Sequence, residues 1–338
     1  MINLKKLTIL KEILIFISQK QKILVSEVLK KKKISKFTLL KYIKYMQTFM
    51  AIDIKIILNK IYVFPGPYFP LNQKVIMNKL NMKSLNFIKN IICYDCVSST
   101  NKIIYKIMNM NKKKYGICIS EMQTFGIGSR YKIWQSPFGY NIYISILWTF
   151  KYSMLSKISI LNILVAIVSV KILQKYKVGK YIKIKWPNDI FYNDQKIGGI
   201  LIERYFDKNK MIKCIIGIGI NGYLSNFLKK KILQNSTSFF EETGKILDRN
   251  SFIADLINQL ISDLGNFKYQ ELFFLLNEWK KFDFFYKKKI IFTSSHHTIE
   301  GIGMGIANNG LYLIKNSKNQ IIKLFHYPGK TKIHLHTS

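Results

Sequence analysis

The chain has 338 residues, enough for two or three domains with full hydrophobic cores. Hydrophobic residues make up 49% and charged residues 21%, which excludes a disordered chain, and four cysteines over this length exclude a disulfide-stapled secreted fold and point to a reducing compartment, the cytoplasm. The formal charge is +36, yet of 54 basic residues only Arg130, Arg204 and Arg249 are arginine; a lysine excess with Ile, Asn, Phe and Tyr heavy throughout is the mark of A/T-rich coding, whereas a nucleic-acid footprint gathers arginine on one face.

Taken in chain order, Lys5-Lys6 and the apolar stretch from Leu7 to Ile17 have the outline of a signal peptide, but Lys11 and Glu12 interrupt it and no small-residue cleavage site follows. Leu10, Ile13, Leu14 and Ile17 instead fall at helical spacing. A second helix is expected near Ser26. Ser35 is a candidate N-cap for a third, Lys36 to about Met46, burying Leu39, Leu40, Ile43 and Met46 and turning Lys36, Thr38, Lys41 and Lys44 outward. Two β-rich runs, Ile52–Leu58 and Ile61–Phe64, joined at Asn59-Lys60, complete residues 1–65. This is the order of a winged helix-turn-helix, with the four outward side chains as its DNA-reading face. A small helical cap with solvated lysines fits the same pattern. With no arginine in this segment, weak, mostly non-specific DNA binding with steep salt dependence is expected, and deleting 1–65 should then leave the rest working.

Pro65, Pro67 and Pro70 mark a linker. From 66 to 283 strand-like runs (Tyr143–Trp148, Ile182–Lys185, Ile200–Ile202, Ile212–Ile220) alternate with helical ones (Thr100–Met108, Ile158–Gln174, Phe252–Leu264), an α/β or α+β domain, of which α+β is the class expected. The apolar run between Lys157 and Lys171 falls short of the ~20 residues that span a bilayer, and Ser159, Asn162 and Ser169 break it, so no membrane association is expected. Residues 284–338 are short β runs with Asn308-Asn309-Gly310 turn chemistry, a small β-barrel.

All five histidines lie within the last 43 residues, which denies the central domain a Ser-His-Asp triad, a Cys-His pair or a histidine-built zinc site. Its chemistry must run on lysine, arginine, carboxylates and backbone amides, the groups that bind and polarise phosphates. No metal ligands are expected. Cys93 and Cys96 form a lone CxxC, read as coincidence. Gly217-Ile218-Gly219-Ile220-Asn221-Gly222 fits a dinucleotide fingerprint with Glu241 as the ribose acid, but the intervening lysine-rich stretch offers no second strand, so the glycines read as room for close packing. Three segments carry more. Ser98-Ser99-Thr100-Asn101 opens a helix. Glu121 to Gly139 is a glycine-bearing, basic, aromatic loop with Arg130 and Lys132 to face anions, or else a surface hairpin. Lys185-Trp186-Pro187-Asn188-Asp189 followed by Lys196-Ile197-Gly198-Gly199 is a hairpin that brings Asp189 to Lys196.

In this order and spacing, SSTN, the loop ending in W-x-SPFG-x-N-x-Y-x-S, KWPND, K-x-GG-x-L-x-E and GxGIN resemble biotin–protein ligase, in its bifunctional bacterial form that is also the biotin operon repressor. The resemblance implies a central domain like the class II aminoacyl-tRNA synthetase core, with an SH3-like barrel after it and a winged helix-turn-helix before it. It implies ATP and biotin as substrates with Mg²⁺, biotinyl-5′-adenylate as intermediate, and transfer to a lysine of the biotin carboxyl carrier protein of acetyl-CoA carboxylase; operator DNA and a ligand-linked homodimer are the further partners. Carried over residue by residue, Ser99, Thr100, Asn101 and Gln123 would meet the ureido ring. Gly126, Ile127, Gly128 and Ser129 would close over the carboxylate and phosphate, beside Gly199. Lys196 and Asp189 would be catalytic, Asp189 orienting Lys196 or the incoming lysine, and Arg130, Lys132, Trp134, Asn221 and Arg249 would hold ATP. The family loop reads GRGR where this chain has Gly126-Ile127-Gly128-Ser129, so two arginines are absent from it. The other readings are a DNA-binding biotin sensor with weakened ligase activity and, less well matched by KWPND and K-x-GG, a lipoate ligase.

Overall fold

The computed structural model describes residues 4–20, 22–88, 91–110, 116–129, 132–207, 210–232, 234–267, 272–294, 297–325 and 332–335. Its N-terminal part runs α1 (Leu4–Ser18), β1 (Ile23–Leu24), α2 (Val25–Lys32), α3 (Lys36–Thr48), β2 (Asp53–Ile57) and β3 (Lys60–Phe64), the strands lying antiparallel in the order β1-β3-β2. Ser35 caps α3, its hydroxyl accepting from the Thr38 amide at 3.1 Å. Leu39, Ile43 and Met46 join Leu10, Ile13, Leu14 and Ile17 in one core. Leu40, expected with them, is 44% exposed, because one residue along a helix turns the side chain by about 100° off the stripe. The hairpin also turns one residue early. Ile57 pairs with Lys60, so Leu58 and Asn59 take the turn, both at positive φ. Asn tolerates that conformation; Leu58 is strained in it and points into solvent.

The proline segment is no free linker. Tyr68 is fully buried, its hydroxyl donates to Glu121 Oε1 at 2.8 Å, and the Leu71 amide donates to the same oxygen at 2.6 Å. Arg249 Nη1 meets Glu121 Oε2 at 2.6 Å. The N-terminal core takes in Met122, Phe138 and Tyr140 of the central part, and Tyr223 donates to Asp53 at 2.7 Å. Residues 1–65 are therefore built into the molecule, and their removal strips apolar surface from the segment that follows Glu121. This packing argues against the expectation of a dispensable unit.

The central part comprises α4 (Gln73–Asn78), α5 (Met82–Phe87), β4 (Ile91–Tyr94), α6 (Thr100–Asn109), β5 (Gly116–Ser120), β6 (Ile142–Lys151), α7 (Leu155–Ile158), α8 (Leu161–Lys175), β7 (Ile182–Lys185), β8 (Asp189–Tyr192), β9 (Gln195–Asp207), β10 (Met211–Ile220), α9 (Asn226–Lys231), α10 (Phe239–Thr243), α11 (Arg249–Gly265) and α12 (Leu272–Phe282). Its seven strands lie in the order β4-β5-β6-β10-β9-β8-β7, with only β4 and β5 parallel. The expected run Ile200–Ile202 is the middle of the 13-residue β9. Helix α8 is buried on almost every side because it packs against the sheet, α11 and α12 at once, which explains its unbroken apolar character. Among the described residues no single helix is long and apolar enough to cross a membrane. Helix α6 covers the opposite face.

Strands β11 (Lys289–Thr293), β12 (Thr298–Ile306), β13 (Tyr312–Lys315), β14 (Ile321–Leu324) and β15 (Lys332–Leu335) form a second antiparallel sheet, ordered β14-β13-β12-β11-β15. One continuous core runs from the central sheet into Phe292, Tyr312 and Ile314, across the boundary expected at 283. Asp283 sits in that joint, accepting from the Phe285 amide at 2.9 Å and the Tyr312 hydroxyl at 2.8 Å, and burial pushes its carboxyl up to about 6. Trp186 Nε1 donates to the Gly310 carbonyl at 3.1 Å, tying the β7–β8 turn to the β12–β13 turn.

Candidate functional site

A cavity of about 50 Å³ opens where β6, β9 and β10 meet the start of α6, beneath the loop that follows Gln123. The loop folds back as a narrow ribbon: Trp134 N donates to Gly126 O at 2.9 Å, Gly128 N to Lys132 O at 2.8 Å, and Ile127 bridges Ile133. Ser99, Thr100, Asn101, Gln123, Ile127, Gly128, Ser129, Trp134, Asp189, Lys196 and Gly199 all line the cavity.

The β8–β9 hairpin brings Lys196 Nζ to Asp189 Oδ1 at 2.7 Å, and both side chains are largely shielded from water. The ammonium also lies 5.3 Å from the Trp134 ring centroid, a cation–π contact. Trp134 lies flat against the sheet because Gly219 has no side chain: a Cβ there would fall 2.7 Å from the indole. Gly217 makes the same allowance for the Asn101 amide. The GxG pair thus serves close packing, as expected. Glu241, the acid of the dinucleotide reading, is engaged by Lys229 and accepts from Ser238 Oγ at 3.1 Å.

The polar wall is continuous. Gln123 Oε1 accepts from the Thr100 amide at 2.9 Å and lies 3.2 Å from its hydroxyl; Gln123 Nε2 donates to Ser136 Oγ at 2.9 Å, which donates to Trp134 O at 2.9 Å. Ser145 Oγ lies 2.6 Å from Thr100 Oγ1 and 2.5 Å from Asn101 Oδ1, and Asn101 Nδ2 donates to Glu203 at 2.6 Å. Asn101 therefore borders the cavity with both of its polar atoms held by protein.

Other expected residues fall elsewhere. Gly126 stands behind the wall, where a Cβ would meet Ser136 Oγ and Trp134 O at 2.5 Å. Lys132 is exposed and outside the cavity lining. Arg130 lies outside the described residues. Asn221 is buried; its amide donates to the carbonyls of Thr237 (3.1 Å) and Lys196 (3.4 Å), so it fixes the Lys196 backbone and does not face the cavity. Arg249 is the clear correction. Its guanidinium is 4% exposed, paired with Glu121 and donating to Phe69 O at 2.7 Å and Asn141 O at 3.3 Å, which leaves it no approach to a nucleotide phosphate. On α3, Lys36, Lys41 and Lys44 are exposed, while Thr38 is half-buried with its hydroxyl 2.9 Å from Ser35 Oγ. Cys93 and Cys96 are free thiols; burial pushes Cys93 up to about 12 and raises Cys96, the opposite of an activated pair.

Ser136, Ser145, Asn188 and Glu203 gained no role from sequence, though each sits inside a quoted motif. Asn188 lines the cavity and its amide donates to Ile200 O at 2.7 Å, holding β9 against β8.

The family described as the biotin/lipoate A/B protein ligase family is matched over residues 93–221. The bifunctional ligase/repressor BirA of Escherichia coli (strain K12) is 30% identical over 275 residues, covering 80% of this chain and 82% of that protein. BirA of Bacillus subtilis (strain 168) is 29% identical over 170 residues, 50% of this chain and 52% of that one. Among solved structures, a biotin protein ligase from Aquifex aeolicus in complex with biotin and ATP superimposes with a TM-score of 0.61 at 21% identity, over 73% of this chain and 100% of the other, a likeness of fold.

Proposed function

The chain belongs to the biotin/lipoate A/B protein ligase family, and from that membership we infer that it is a biotin–protein ligase. It activates biotin with ATP to biotinyl-5′-AMP and passes the biotinyl group to a lysine of a biotin carboxyl carrier protein. In the first step a biotin carboxylate oxygen attacks the α-phosphorus and pyrophosphate leaves. In the second the carrier lysine amine attacks the mixed-anhydride carbonyl, AMP leaves, and the amine gives up its proton. Both steps need positioning and positive charge more than a strong base.

One observation carries the reading: Lys196, held by Asp189 under Trp134, faces the polar wall of Ser99, Thr100 and Gln123 in a single cavity. In this reading Thr100, Ser99 and Gln123 take the ureido ring, and Gly128 and Ser129 lie over the carboxylate. Lys196 neutralises the charge that develops between carboxylate and phosphorus, and Trp134 offers the adenine a flat apolar face. The ribbon after Gln123 borders the cavity, so its movement would accompany entry of biotin. Among the described residues no group of three or more His, Cys, Asp or Glu could hold a metal, so Mg²⁺ is proposed to arrive on the ATP phosphates; Asp189 is the carboxylate that lines the cavity. We assign residues 1–65 to a winged helix-turn-helix and 284–338 to an SH3-like barrel. The four free thiols suit the cytoplasm.

The test is one incubation of purified protein with labelled biotin, ATP·Mg²⁺ and a carrier domain. Covalent label on the carrier lysine supports the ligase; absence of label overturns it. A second role as an operator-binding repressor is favoured by the exposed Lys36, Lys41 and Lys44 face and by the names of the BirA relatives. Mobility shifts at physiological salt, with and without biotin and ATP, test it, and sedimentation of the same samples tests a ligand-linked homodimer.

A further inference from the structure

Glu203 lies outside the cavity, on the α6 side of the sheet, where Ile215 is its cross-strand partner and the Tyr205 hydroxyl lies 3.4 Å from Oε1. Its other oxygen accepts from Asn101 Nδ2 at 2.6 Å. We propose that Glu203 is a positioning residue for ligand recognition: it sets the direction of a hydrogen-bond chain that makes the Thr100 hydroxyl an acceptor for a ring N–H. The inference rests on the ligase reading above and extends it to a residue that the ligand never touches.

The direction follows from proton counting. A carboxylate only accepts, so it turns the Asn101 amide nitrogen toward itself and the amide oxygen toward Ser145. Ser145 has one proton, and at 2.5 Å that proton goes to the Asn101 oxygen. At the 2.6 Å contact between Ser145 and Thr100 the proton must then come from Thr100. Gln123 Oε1 already takes the Thr100 amide at 2.9 Å, so the hydroxyl contact of 3.2 Å is the weaker claim on that proton. Thr100 is left with its lone pairs toward the cavity. Gly217 is part of the device, since any side chain there would displace the Asn101 oxygen. Without Glu203 the amide is free to flip. Ser145 then faces an NH₂ donor, its proton turns to Thr100, and the Thr100 proton is pushed toward the place where a ureido N–H would sit. Two donors would face each other across a shielded contact.

The experiment compares wild type, E203L, E203Q and S145A in carrier labelling, with KM measured separately for biotin and ATP, and with biotin against a derivative methylated on the ureido nitrogen. Gln can still offer Asn101 an oxygen, so E203Q is expected within twofold of wild type. E203L is expected to raise KM for biotin at least tenfold while leaving KM for ATP and kcat within twofold. Because the N-methyl derivative has lost the proton in question, E203L should penalise it little beyond the wild-type loss. S145A, a small change within the fold, should also raise KM for biotin alone, which keeps the question open to test if E203L does not fold. The proposal is overturned if E203L or S145A leaves KM for biotin unchanged, if both KM values rise together, or if E203Q is as damaged as E203L. A wild type without carrier labelling overturns the ligase reading itself, a different outcome from an active wild type with an indifferent Glu203.

Discussion

Lys196 is the residue on which the proposed chemistry depends most. Shielded beside Asp189, its ammonium is already oriented when charge develops at the phosphorus, and a preorganised contact of this kind is worth roughly 3–4 kcal/mol. Lys196→Gln should therefore lower pyrophosphate release by two or more orders of magnitude with the fold intact; a normal pyrophosphate burst would remove Lys196 from the mechanism. Ser129 borders the same cavity where the family loop carries arginine. Each charge-assisted hydrogen bond so lost is worth about 1.5–3 kcal/mol. Ser129→Arg should slow escape of biotinyl-adenylate in a pulse-chase, and equal off-rates would mean that another cation has taken over the contact. The Lys196–Asp189 pair was legible in the sequence because a hairpin makes close neighbours of residues seven apart. Arg249 was misread for the converse reason: its partner, Glu121, is 128 residues away and no local spacing encodes that pairing.

At the scale of elements, the long strands and helices were legible from periodicity, whereas β4, β5 and β8 were not. Four or five apolar residues fit a strand or a buried helical turn equally well, and only their neighbours decide. The joint between α12 and the C-terminal sheet was equally hidden, since it involves one buried carboxylate. Asp283 has a folded pKa of about 6 against 3.8, so its acid form is favoured in the folded chain. Its contribution is fully present below pH 4 and is lost as pH rises through 6. Asp283→Asn should match wild type in urea unfolding at about pH 3 and exceed it by about 3 kcal/mol at pH 8. A difference that does not vary with pH would show that Asp283 ionises without penalty.

For the whole molecule, the decisive fact is that the cores do not follow the domain boundaries expected from sequence. Met122, Phe138 and Tyr140 are buried against the N-terminal helices, and Met122 immediately precedes the cavity residue Gln123. Burying a side chain of this size is worth about 1.5–3 kcal/mol. Deleting residues 1–65 should lower the melting temperature by several degrees and reduce carrier labelling in the same preparation. Normal labelling by a stable truncated protein would show the two parts to be energetically separate. The high positive charge adds a weaker effect across the surface, a salt-sensitive attraction to polyanions that does not require the α3 face.

Trp134 is the only one of the four tryptophans among the cavity-lining residues, and its indole nitrogen is buried with no hydrogen-bond partner. An indole beside an ammonium and a shielded N–H is sensitive to both polarity and charge, so the site contains its own optical reporter. Lifting the ribbon to admit biotin would move Trp134 away from Lys196, and closing it over an adenylate would stack the indole against a second ring. Biotin alone should therefore change the tryptophan emission, and ATP added afterwards should quench it further. A Trp134→Phe variant should be silent to both additions, while Trp148, Trp186 and Trp279 supply a constant background. A stopped-flow trace of this emission would time ribbon movement and adenylate formation as separate phases in an unlabelled protein.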